Sequence, residues 1–149
     1  MPISTPNHIP EIPGVLEDLA QRLEPVVKPK DFFLIQRPNA EGRPVGRGEI
    51  YLSLEGIRYL PPQTLEDARQ QATVTIQILV RYFDPRAQTS AYEVMSLIRK
   101  TLVGYRLPNC SPMWIDQKFY SGGPDETGAH EYRQLFQFKS TFFPFYAGG

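Results

Sequence analysis

The sequence predicts an α+β domain: a mainly antiparallel (mixed) sheet of about five strands with two principal helices packed on it. Three observations carry this expectation. From Ala72 to Phe83 apolar and polar side chains alternate, the period of a strand with one face in a core. Ala91, Val94, Met95, Ile98 and Leu102 recur at helical spacing, as on a helix with one buried stripe. The inferred order is helix, strand, strand, strand, helix, strand, strand. It lacks the strict alternation of a doubly wound parallel sheet, so the helices are expected on one face of a largely antiparallel one.

Taken in order, residues 1–13 hold four prolines and no periodic apolar pattern, and read as an extended arm preceding a domain over 14–149. A helix begins at Pro13, which is tolerated in a first turn. Leu16, Leu19, Ala20 and Leu23 form its apolar side, and Pro25 stops it there or just after. Phe32 to Gln36 reads as a short strand. Arg37 to Gly48 is loop chemistry, with two prolines, three glycines and three arginines. Ile50, Leu52 and Leu54 then alternate with Tyr51, Ser53 and Glu55, so these two strands are expected to form a hairpin with a long protruding tip. Pro61-Pro62 ends that region, and Leu65 to Gln70 reads as either a helical turn or a loop.

After the strand over 72–83, Ser90 and Glu93 have the spacing of a capping box at the start of the second helix. Arg99 and Lys100 suit its C-terminal dipole, and Gly104 is a natural left-handed terminator. Met113 to Tyr120 reads as a fourth strand. Ser121 to His130, with three glycines and a proline, reads as a second exposed loop. Tyr132 to Phe143 is a fifth strand with Phe136, Phe138 and Phe142 on one face, and Pro144 confines the last residues to an edge or tail.

Composition bounds function. Sixteen basic and sixteen acidic residues cancel, leaving no bulk electrostatic footprint for nucleic acid or anionic membrane. No apolar stretch reaches the roughly 18 residues of a membrane span. The Met-Pro-Ile-Ser-Thr-Pro start has neither a basic nor an apolar region, so no signal peptide is expected. Cys110 is the sole cysteine, which excludes an internal disulfide and fits a reducing compartment.

A search for chemistry yields no catalytic, cofactor-binding or metal-ligating set, and neither an enzyme nor a cofactor is expected. His8 and His130 fall in segments read as solvated loops, without an orienting partner at ligand spacing. Cys110 lacks a reactive local signature. The run Gly42 to Gly48 lacks the lysine and hydroxyl of a phosphate loop and is followed by a strand pattern. Asp125 and Glu126 lack calcium-loop spacing. Arg37, Arg43 and Arg47 have no interleaved aromatics for base stacking, which favours pairing with a neighbouring protein over nucleic acid. Phe143, Phe145 and Tyr146 exceed what one strand face buries. The candidate interface residues are therefore Arg37, Arg43, Arg47, Asp125, Glu126, Phe143, Phe145 and Tyr146.

The segment QATVTIQILVRYFDPRAQTSAYEVMSLIRKTLVGYRLP, followed by MWIDQKFYSGG and EYRQLFQFKSTFFPF, resembles the tail-terminator-like proteins of Mu-type contractile-tailed bacteriophages. Their core fold is shared with the lambda tail terminator and several head–tail joining proteins. The resemblance spans Glu49 to Phe145 and rests on a strand–helix–strand–strand layout centred on AYEVMSLIRKTL. It implies a structural virion protein that forms a homo-oligomeric ring, a hexamer, on the head-proximal end of a completed tail. There it would end tube and sheath polymerisation and meet the neck or connector protein. Viral DNA would pass the lumen without specific binding, no membrane would be involved, and assembly would take place in the host cytoplasm. Two alternatives stay open at this stage: a neck or head-completion protein of the same fold, and a small nucleic-acid-binding module acting through the arginine loop.

Overall fold

The computed structural model describes residues 12–35, 46–61 and 70–142. Its elements are α1 (Ile12–Val27), β1 (Phe32–Leu34), β2 (Gly48–Tyr59), β3 (Gln70–Tyr82), α2 (Gln88–Leu102), β4 (Trp114–Gly122) and β5 (His130–Phe142). The order and type of all seven match the sequence reading. They build one five-stranded sheet in the order β1-β2-β3-β5-β4. Three of its junctions are antiparallel, and both helices pack on one face.

The alternation in β3 decides which face that is. Val74, Ile76, Ile78 and Val80 are fully buried and Tyr82 nearly so, and all point to the helix side. β5 contributes Tyr132, Phe136 and Phe138 to the same layer. From above, α2 contributes its whole expected stripe of Ala91, Val94, Met95, Ile98 and Leu102. Burying each of the larger aliphatic side chains among these is worth about 1.5–3 kcal/mol. Gly104 follows α2 with a φ of 88°, as its role of terminator requires.

Helix α1 starts at Ile12, taking Ile12 and Pro13 from the segment read as an arm, and Pro25 lies inside it. Proline at that position forfeits one hydrogen bond to the preceding turn. The helix nevertheless runs on to Val27, which completes a buried row with Val15, Leu19 and Leu23. A 3₁₀ turn over Lys28–Lys30 then delivers the chain to β1.

Two local expectations are corrected. β1 and β2 pair in parallel, with Phe32 opposite Gly48 and Leu34 opposite Ile50, so they are not a hairpin. Parallel neighbours need a crossover of a dozen or so residues, and residues 35–47 supply it. The Ser90–Glu93 capping box is also absent. Asp84 starts the turn earlier by accepting from the Arg86 amide at 2.9 Å, a 3₁₀ turn follows over Pro85–Ala87, and α2 is already under way at Gln88. Ser90 and Glu93 are thereby released for contacts outside the helix, with Arg47 and Lys30 respectively.

Candidate functional site

The strand register brings the two long loops to one end of the sheet. Gly48 stands opposite Tyr82, and Tyr82 opposite His130. The base of the arginine loop and the β4–β5 hairpin therefore border the same row. Phe142 ends β5 at the far end, opposite Gln70.

At the arginine-loop base, Arg47 donates its amide to Asp31 O at 2.8 Å and its Nη1 to Ser90 Oγ at 3.1 Å. Two glycines allow this close seat. A Cβ on Gly46, whose φ is 64°, would lie 2.5 Å from Phe33 Cε2, and one on Gly48 would lie 2.3 Å from Phe32 Cε2. Lys30 pairs with Glu93 at 3.3 Å. Beside them is an open cavity of about 620 Å³ lined by Asp31, Gly46, Arg47, Phe83, Asp84, Arg86 and Ala87. Two of the lining residues, Asp84 and Arg86, are paired at 2.9 Å. Arg37 and Arg43 lie outside the described residues.

In the β4–β5 hairpin, Asp125 accepts from Thr127 Oγ1 at 2.6 Å, from the Thr127 amide at 2.8 Å and from the Ala129 amide at 3.0 Å. The Thr127 hydroxyl first, then the Ala129 and Thr127 amides and the Arg81 charge, hold its carboxyl at about 2. Asp125 is thus committed to its own turn, while Glu126 is exposed at the tip. His130 is not a solvated loop residue: it opens β5 and stacks on Tyr82, centroids 5.2 Å apart. Burial, with the Tyr132 hydroxyl beside it, pushes Tyr82 up to about 12. His8 lies outside the described residues.

Cys110 is buried in an isolated bridge to Ser140, and burial pushes its thiol up. Such a thiol stays protonated and unreactive near neutral pH. Among the described residues no three His, Cys, Asp or Glu side chains come together as metal ligands. No helix among them is long and apolar enough to cross a membrane.

The larger features are surfaces that the sequence reading did not single out. The second face of the sheet has no helix over it among the described residues. A side-chain ladder crosses it, from Trp114 Nε1 to Gln137 Oε1 at 3.1 Å and from Gln137 Nε2 to Thr75 Oγ1 at 2.8 Å. Near one margin Glu49 is 2% exposed and accepts from the Tyr51 hydroxyl at 2.7 Å. Its Oε2 has no hydrogen-bond partner among the described residues.

Among the described residues, four of the six exposed large hydrophobic side chains lie on the outer strands of the sheet, the others being Tyr92 of α2 and Val103 just after it. Leu54 and Tyr59 belong to β2, Ile115 and Tyr120 to β4. Tyr92 of α2 stands edge-on to Phe119 of β4. Alternation along a strand reveals its faces but not which strand is outermost, so this signal needs the register. Phe143, Phe145 and Tyr146 lie outside the described residues.

The same fold occurs in a chain of a solved structure described as the virion of a native gene transfer agent particle. The match has a TM-score of 0.62 at 12% identity and covers 88% of this chain and 98% of that one. No curated protein matches the chain. The family model described as Gp37 protein matches residues 33–141, from β1 almost to the end of β5, and the chain therefore belongs to the Gp37 family.

Proposed function

We propose that this chain is a structural protein of a phage-type virion. As a ring of copies it caps the head-proximal end of a contractile tail, ends tube and sheath polymerisation, and joins the tail to the neck. The observation that carries this reading is a likeness of whole subunits: the fold accounts for 98% of a chain from a virion, not for a fragment of a larger enzyme. Membership of the Gp37 family and the likeness of residues 49–145 to tail-terminator-like proteins agree with it.

The build of the subunit suits such a role. Arg47, Asp125 and Glu126 border one end of the sheet, a polar surface for a neighbouring ring of tube, sheath or neck protein. Two unlike sheet edges suit head-to-tail contacts, which close into a ring when the rotation closes. DNA would pass the lumen without specific recognition, since the chain carries no net charge.

The test is native mass measurement of the full chain with its tube and sheath proteins, combined with tail length seen by electron microscopy. A closed ring on tails of uniform length is expected. A strict monomer that leaves tail length unregulated would overturn the proposal. Location of the ring on the portal side of the joint would assign the chain to the neck instead.

A further inference from the structure

We infer that the two open edges of the sheet mate between copies. The β2 edge of one copy, Leu52 to Tyr59, takes the β4 edge of the next, Trp114 to Gly122, and one sheet runs on through the assembly. This inference rests on the ring reading and names the contact that builds the ring.

The first argument is backbone accounting. β1 pairs with β2 only from Gly48 to Ile50, and Ile35 adds one bond to Ile50 O at 2.9 Å. From Leu52 onward the outer edge of β2 has no strand beside it among the described residues. Among the described residues β4 pairs with β5 on one side only. Unpaired edges of this kind are templates for another strand.

Side chains repeat the pattern. Leu54 and Tyr59 on β2 are 39% and 54% exposed, and Ile115 and Tyr120 on β4 are 38% and 51% exposed. Tyr92, at 49%, stands over Phe119 on the β4 side. Apolar area left at two opposite edges of one sheet is covered by a contact that uses both. A twofold β2–β2 contact would cover one edge and leave Ile115, Tyr120 and Tyr92 in water.

Direction and shape agree. β2 and β5 run the same way, and β4 runs opposite to both. Copies related by rotation about an axis along the strands keep those directions, so β4 would meet β2 antiparallel, the slightly stronger pairing. Beside the β2 edge, on the helix side, lies a groove of about 530 Å³ between Leu16 and Ala20 of α1 and Leu34 and Leu52 of the sheet. Ile115 faces the helix side, since its partner is Phe136, and an added β4 would direct it toward that groove. Each edge also carries a bulge, at Leu54/Gly56 and at Asp116/Tyr120. Bulges bend and twist an edge, which penalises indiscriminate pairing and leaves only registers that accommodate both.

The experiment uses the full chain in a Cys110→Ser background with cysteines at Leu54→Cys, at Ile115→Cys, or at both, together with Tyr59→Cys and Tyr120→Cys to sample the register. Each is oxidised and read on denaturing gels, alongside native mass spectrometry over a concentration series. The expected result is a ladder of covalent multimers from double variants pairing one β2 and one β4 cysteine, and none from single variants. Leu54→Lys and Ile115→Lys should each weaken association at least tenfold in the otherwise unaltered chain. Covalent dimers from single variants would mean like-to-like edges and overturn the inference. So would rings that form without any ladder and tolerate both lysines, an outcome that leaves the ring reading standing. A chain that stays monomeric throughout the series overturns both.

Discussion

The guanidinium of Arg81, midway across the open face of the sheet, stands 3.6 Å from the carboxylate of Asp125 in the β4–β5 turn. The same nitrogen, Nη2, donates to Thr127 Oγ1 at 2.7 Å. The hairpin tip is thus tied to a central strand, and its geometry depends on a charged Asp125.

That dependence has a sign. The Asp125 carboxyl titrates at about 2 in the folded protein against an ordinary 3.8. A depressed carboxyl contributes stability that is present above its unfolded pKa and is lost as pH falls through the folded one. The contribution should therefore fade between about pH 4 and pH 2. The protection of the Thr127 and Ala129 amides from exchange, taken relative to the intrinsic rate at each pH, should fall over that window in the native chain. In Asp125→Asn that protection should already be lower at neutral pH and much less sensitive to acid.

Gly48 and Gly56 lie on the same strand and should respond differently to alanine. At Gly48 the added carbon would meet Phe32 Cε2 at 2.3 Å and the Arg81 carbonyl oxygen at 2.7 Å. One of these is fully buried and the other is backbone. Overpacking of this kind costs about 1–3 kcal/mol. At Gly56 nothing stands within 4 Å, and the change should stay within about 0.5 kcal/mol. Urea midpoints of the two variants measure the difference.

The start of α2 offers a comparison between Asp84 and Ser90. The Asp84 side chain accepts from the Arg86 amide and also grips its guanidinium, whereas among the described residues Ser90 takes a contact from Arg47 and none from its own helix. Asp84→Ala should lower the thermal midpoint more than Ser90→Ala does. The reverse order would restore the capping-box reading.

Within the core, Ile98→Ala removes a side chain that is fully buried under α2. The loss of transfer energy plus the cavity left behind should cost about 2–5 kcal/mol by denaturant titration.

Most of the fold was legible in the sequence because its strongest signals are local periods. The alternation from Val74 to Tyr82 and the stripe from Ala91 to Leu102 each fix a face without reference to any other segment. What the sequence hid was relational. The apolar runs of β1 and β2 read the same in either direction, so nothing local distinguished a hairpin from a parallel pair joined by residues 35–47. Ser90 and Glu93 have the spacing of a cap, yet Asp84-Pro85 upstream begins the turn first. His130 looked like a loop residue until the register set it against Tyr82. Among the candidate interface residues, Arg47, Asp125 and Glu126 were found at one end of the sheet, but the intramolecular duties of Arg47 and Asp125 were not foreseeable. The edge residues Leu54, Tyr59, Ile115 and Tyr120 were missed because outermost position is a property of the whole sheet.

The row Gly48–Tyr82–His130 has one more consequence. The β1–β2 connection rejoins the sheet at that row and the β4–β5 turn borders it, while the last strand finishes at the opposite extremity, so the subunit is vectorial. A ring of such subunits turned about an axis along the strands would have two unlike rims, one bearing Arg47 and the β4–β5 turn and one where β5 ends. An annulus of that kind has no upside-down equivalent, and a stack in which it takes a place reads differently from above and below.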